Sequence, residues 1–233
     1  MRILLLGASG MIGQGVLREC LLDVGVEQVL SIARSPTPSP SPVPSSATSP
    51  VSRTKLREII HPDLSEFASL RDQLTGLDAC FFCLGISSAG MAEAEYARIT
   101  YGITSALAEV LVQTSPQLTF VYVSGMGTDS SEHGTSMWAR VKGRTENHLL
   151  ALGFAGAYMF RPGMVQPLHG ITSKTRLYRL LYVLLWPVMP LLRRCFPRAI
   201  TTTEAMGRAM LQVARTGYPR RIIENRDIAT LAG

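Results

Sequence analysis

A chain of 233 residues with 46% hydrophobic side chains is long enough to bury one sizeable core, and a net charge of +6 favours anionic ligands without naming one. Its four cysteines, Cys20, Cys80, Cys83 and Cys195, lack the spacing of a secreted disulfide scaffold. Met1-Arg2 runs straight into Ile3-Leu4-Leu5-Leu6, too short an apolar region for a secretory signal, so a cytoplasmic protein of one domain (1–233) is expected.

Ile3 to Leu6 reads as a strand ending in glycine, and Met11 to Leu22 follows at helical spacing. Val26 to Ala33 is a second strand. Residues 35–52 are almost pure Pro, Ser and Thr, which bury little and lack a backbone donor at every proline, so a loop is expected. Leu56 to Ile60 is a third strand, Leu64 to Leu74 a short helix, and Ala79 to Leu84 a strand apolar enough to be covered on both faces. Cys80 and Cys83 form a CxxC within that run, but side chains three apart on a strand point to opposite faces, which argues against redox chemistry. A helix over Ala92–Gln113, a strand over Leu118–Val123, a helix over Trp138–Leu152 and a strand over Ala157–Phe160, halted by Arg161-Pro162-Gly163, complete the pattern. Further on, Thr201-Thr202-Thr203-Glu204 caps a helix running through Met210, and Arg221 to Asn225 is a last strand. Strands alternating with helices in this way predict an α/β fold, a Rossmann-type doubly wound parallel sheet with a small C-terminal cap.

Gly7-Ala8-Ser9-Gly10-Met11-Ile12-Gly13 lies between the first strand and the first helix, where a dinucleotide fingerprint belongs. Gly7 permits the tight turn, Gly10 lets backbone approach a pyrophosphate, and Gly13 lets helix and sheet pack closely. The anion would rest on the free amides and positive end of the helix. NAD sites carry an acidic residue about 20 residues past the loop. Here no Asp or Glu occurs between Glu27 and Glu58, and Arg34 ends the second strand, where its guanidinium fork suits a 2′-phosphate. NADP(H) is therefore expected over NAD(H). Asp63 either accepts from the adenine amino group or caps the following helix, and Leu84-Gly85 at the end of the fourth strand joins the cofactor set.

With Gly7 to Gly13, Tyr122-Val123-Ser124-Gly125, Val141-Lys142-Gly143 and Arg161-Pro162-Gly163 in this order, the chain resembles the atypical short-chain dehydrogenase/reductase superfamily over nearly its whole length. It is similar to the small NAD-dependent epimerase/dehydratase-like proteins and to the Tat-interacting protein branch. The resemblance implies that Ser124 orients a substrate carbonyl, that Lys142 binds the nicotinamide ribose, and that Pro162-Gly163 faces the carboxamide. In the family a YxxxK pair does the proton chemistry, because positions i and i+4 share a helix face. Here the tyrosine position reads Trp138. An indole N–H donates a hydrogen bond but exchanges no proton near neutral pH. Three readings stay open: an NADP(H)-dependent regulator without turnover; a reductase or epimerase whose acid is Tyr101, His133 or a relayed water; or an enzyme in which Trp138 stacks on an aromatic or isoprenoid-like substrate. His133 and His148 are both near the site, and each is also read as a surface or structural residue.

Residues 164–203 are expected to form a hydrophobic cap. Its apolar stretch, 177–192, is interrupted by Arg179, Pro187 and Pro190 and falls short of the ~18 uninterrupted apolar residues of a spanning helix. Arginines flank it, so it reads as a pocket lid, a homodimer contact or a peripheral membrane contact. No recognised nucleic-acid motif appears, and the expected partner is a small molecule of unidentified class.

Overall fold

The computed structural model describes residues 1–35, 53–171 and 199–233. The Pro/Ser-rich stretch beyond Ser35, the apolar segment 177–192 and Cys195 lie outside them. The first half alternates β1 (Arg2–Leu6), α1 (Met11–Leu22), β2 (Gln28–Ala33), β3 (Leu56–Ile60), a 3₁₀ turn over Ala68–Leu74 and β4 (Ala79–Phe82). Next come α2 (Glu93–Ala97), α3 (Ile103–Thr114), β5 (Thr119–Val123), α4 (Met137–Ala151) and β6 (Gly156–Arg161). The chain ends with β7 (Met164–Gln166), β8 (Ile200–Thr202), α5 (Thr203–Thr216), β9 (Ile222–Glu224) and α6 (Asn225–Leu231).

Seven strands form one parallel sheet in the order β3-β2-β1-β4-β5-β6-β9. This is the Rossmann order, and it reverses between β1 and β4, which opens a crevice at their carboxyl ends. The period-two alternation of the strands divides the core between the two faces. Ile3, Leu5, Phe81, Val121 and Phe160 pack under α1 and α5. Leu4, Leu6, Phe82, Phe120 and Met159 pack under α3 and α4. Each such side chain contributes about 1.5–3 kcal/mol on leaving water. Cys80 belongs to the second cluster and Cys83 packs against the first, so the CxxC straddles the sheet as its spacing predicts. Both thiols are free, and burial pushes both up.

Three features differ from the sequence reading. The helix expected over Ala92–Gln113 is interrupted by a π-helical turn, Arg98–Gly102, of the kind that accumulates at functional sites. The helix expected over Leu64–Leu74 is only the 3₁₀ turn. Beyond Gly163, β7 and β8 pair as a small parallel ribbon, and Gly163 is needed there because a Cβ would stand 2.2 Å from the Ala199 carbonyl oxygen. The threonine cap is confirmed in kind, with Thr202 Oγ1 accepting from the Ala205 amide at 3.0 Å. No helix among the described residues is long and apolar enough to cross a membrane.

Candidate functional site

The glycine loop is built by backbone contacts that exclude a side chain. Gly7 adopts φ +83°, and a Cβ there would stand 2.6 Å from the Leu84 amide nitrogen. A Cβ on Gly13 would stand 2.0 Å from the Gly7 carbonyl oxygen, so helix α1 starts against the loop itself. The Gly10 amide donates to Gly7 O at 2.9 Å, and Gln14 Nε2 donates to Ser9 O at 3.2 Å. Gly10 caps α1 without a side chain, and no acidic residue stands in the first turn. The leading amides and positive dipole end are thus presented to an anion with no carboxylate competing for them.

Two adjoining cavities cover this loop. The first, about 510 Å³, brings Gly7, Ser9 and Gly10 together with Arg34, Asp63, Leu84 and Gly85. The second, about 450 Å³, brings Gly10, Met11 and Ile12 together with Leu84, Gly85, Ser124, Lys142, Pro162 and Gly163. They share Gly10, Cys83, Leu84 and Gly85, so one cleft runs over the carboxyl ends of β1 and β4. Ala8 and Gly13 line neither cavity: Ala8 is buried in the core under α1, and Gly13 serves the backbone approach. Sequence reasoning missed Arg98, which the π-helical turn places on the first cavity with Ile99 and Ile103. Nothing local marks it, because the turn that positions it is set by packing.

Asp63 does cap a turn. Its Oδ1 accepts from the Ser65 amide at 2.9 Å and from Ser65 Oγ at 2.5 Å, and these bonds hold the carboxyl below the usual carboxylate range. It also borders the first cavity.

At the other end of the cleft, Ser124 follows β5 and Lys142 lies on α4. The Ser124 hydroxyl donates to the Phe160 carbonyl at 3.1 Å, alongside its own amide at 2.9 Å. Lys142 Nζ donates to the Ser124 carbonyl. Burial lowers the ammonium to about 8, while Glu146, one turn along α4, opposes that shift. Glu146 is fully buried and accepts from Arg161 Nε at 3.1 Å; Arg161 also donates from a terminal nitrogen to Ser130 Oγ at 2.5 Å. This ion pair ties α4 to the end of β6, from which Pro162 and Gly163 reach the cleft. Gly143 completes the joint, since a Cβ there would stand 1.7 Å from the Asp129 carbonyl oxygen.

Trp138 is half-buried with its six-membered ring towards Gly127, and it lines neither cavity. The alternative acids lie elsewhere. Tyr101 packs against Arg144, whose guanidinium lies 4.3 Å from its ring centroid, and against the His148 ring, 5.4 Å away and tilted by 60°. His133 is exposed, and its amide donates to Ser131 Oγ on the turn that Asp129 organises.

The family model for the NAD dependent epimerase/dehydratase family matches residues 3–135, from the first strand through the glycine loop and Ser124. The chain belongs to this family. Among curated proteins of similar sequence, protein fmp52-1, mitochondrial, from Aspergillus oryzae is 29% identical over 164 residues, 69% of this chain and 64% of that protein. Protein FMP52, mitochondrial, from Debaryomyces hansenii is 24% identical, over 70% of this chain and 66% of its own length. The chain thus matches just under two thirds of these relatives. In fold, the epimerase/dehydratase family member is similar to DesIV, a dTDP-glucose 4,6-dehydratase from Streptomyces venezuelae solved with NAD and TYD bound. That match has TM-score 0.66 and 18% identity, covering 100% of this chain and 80% of the other. A UDP-glucuronic acid 4-epimerase from Bacillus cereus, in complex with NAD, gives TM-score 0.61 at 17% identity, covering 96% and 76%. These likenesses agree with the seven-stranded parallel sheet. The expectation of a cytoplasmic protein is overturned, because the relatives are named mitochondrial in several fungi.

Proposed function

We propose that this protein binds NADP(H) along the cleft and exchanges hydride with a small carbonyl or alcohol substrate in a mitochondrial setting. The observation that carries the reading is that Arg34 borders the same cavity as the glycine loop, in a stretch that holds no carboxylate from Gln28 to Arg57. An acid at that position would bond the ribose hydroxyls of NAD and repel a 2′-phosphate; a guanidinium does the reverse.

The residues present fit such a cofactor. Gly7, Ser9 and Gly10, with the leading amides of α1, would hold the pyrophosphate, and Arg34 the 2′-phosphate. Lys142 would reach the nicotinamide ribose, and the Pro162-Gly163 backbone the carboxamide. A bound nicotinamide supplies or accepts the hydride. Ser124 must turn its hydroxyl from the Phe160 carbonyl before it can donate to a substrate oxygen. The mitochondrial setting is taken from the names of the relatives. Trp138 favours one other reading, a protein that binds NADP(H) and a ligand without turnover.

Titration of the unmodified protein and of Arg34→Ala with NADPH and NADH tests the cofactor assignment. NADPH is expected to bind more tightly than NADH in the unmodified protein, with most of the difference lost in the variant. Equal affinity for the two cofactors before substitution contradicts it.

A further inference from the structure

We propose that Lys142 is the proton-exchanging group of this site, doing from residue 142 what the tyrosine of the family motif does from residue 138; this rests on the hydride-exchange reading above. Among the described residues, three side chains with an exchangeable proton line the cavity at the Ser124 end: Cys83, Ser124 and Lys142. The Cys83 thiol is pushed up to about 12 by burial and holds its proton too tightly. The Ser124 hydroxyl donates its hydrogen bond to the Phe160 carbonyl, and an alkoxide is out of reach near neutral pH. Trp138 faces Gly127, Tyr101 faces Arg144 and His148, and Tyr122 is buried in the core on the α3/α4 side, bonded to Thr145.

Lys142 alone of these combines access with a proton it can give and regain. Its ammonium has three N–H groups, of which the Ser124 carbonyl takes one. Among the described residues, the charged and titratable groups near it are Glu146 on its own helix, Arg161 at the end of β6 paired with that carboxylate, and Cys83 after β4 on the same cavity. Burial brings the ammonium to about 8, close to where a general acid works best, and Glu146 keeps it from falling further. In the reducing direction an Nζ–H bond breaks and its proton goes to the carbonyl oxygen of the substrate, which becomes a hydroxyl. The new C–H bond takes its hydride from the reduced nicotinamide dinucleotide, which is oxidised. The neutral amine then regains a proton from water.

The chain has only three lysines, Lys55, Lys142 and Lys174, so ¹³Cε-lysine NMR resolves the titration directly, with Lys142→Arg assigning the signal. A Lys142 midpoint near 8 is expected, and a midpoint above about 10, the ordinary lysine range, overturns the proposal. NADPH is titrated into the same samples, so failure of the cofactor reading shows separately as failure to bind. In a second arm, NADPH oxidation is followed with benzaldehyde, 4-nitrobenzaldehyde and menadione from pH 6 to 10 (a range of about four units around the expected midpoint). The rate should fall as pH rises through the midpoint, and Lys142→Arg, which keeps the charge but releases no proton, should bind NADPH and react at least ~100-fold more slowly. An arginine variant that reacts as fast as the starting protein overturns the proposal. NADPH binding without turnover of any of the three overturns it together with the hydride reading.

Discussion

The two ends of the cleft are made of different material. At the glycine loop the site is backbone: Gly7 and Gly13 stand where a single added carbon would overlap a peptide group, and the atoms offered to the cleft are amides of the kind every non-proline residue carries. At the Ser124–Lys142 end the site is side chain; Trp138, at the position where the resemblance puts a tyrosine, lines neither cavity, while α4 closes on the Asp129 turn through Gly143. A backbone site keeps its chemistry as long as the fold stands. A side-chain site can lose its acid with no loss of packing, so the two ends are free to diverge.

The largest effect should come from breaking the backbone end. Gly13→Ala places a carbon 2.0 Å from the Gly7 oxygen, so NADPH affinity should drop more than ~100-fold and stability by ~3 kcal/mol, read by titration and urea unfolding. The joint that supports the side-chain end bears on stability alone. Arg161→Met removes the cation hydrogen-bonded to the fully buried Glu146 carboxylate, leaving it the Lys142 charge alone among the described residues, and should cost about 3 kcal/mol. Adding Glu146→Leu should restore most of that; a double variant as unstable as the single one would show that the pair is not what holds α4 to β6.

A smaller effect has the opposite sign. The Lys142 ammonium is depressed from 10.5 to about 8 in the folded protein, so its burial destabilises the fold below pH 8, and that penalty fades between pH 8 and 10.5. Lys142→Met should therefore stabilise the protein by ~1–2 kcal/mol at neutral pH, with no gain left above pH 10.5. A gain independent of pH would mean that the charge is not its source. Smallest is Arg98→Ala: Arg98 borders the first cavity without standing at the end of β2, so NADPH and NADH should weaken alike, ~3-fold.

What the sequence shows follows the same division. The apolar strand runs, the glycine spacing between β1 and α1 and the helical spacing of α1 and α4 are local signals, and each element they imply is present. The placements of Arg34, Ser124 and Lys142 on one cleft follow from strand order. Contacts that join distant segments left no local mark. Gly15 would meet Thr203, and Gly207 would meet Glu19 and Val16, so that α1 and α5 pack almost backbone to backbone. The Glu146–Arg161 pair, the β7–β8 ribbon and the π-helical turn are of that kind. One missed feature did carry a signal: Glu224 and Asp227 form a reciprocal cap at the start of α6, three residues apart.

A crystal structure of the protein grown with NADP⁺ tests the central claim most directly. The pyrophosphate should lie on the leading amides of α1, with the 2′-phosphate at Arg34 and the nicotinamide ribose at Lys142. A 2′-phosphate directed away from Arg34, or a dinucleotide bound outside the cleft, would contradict it.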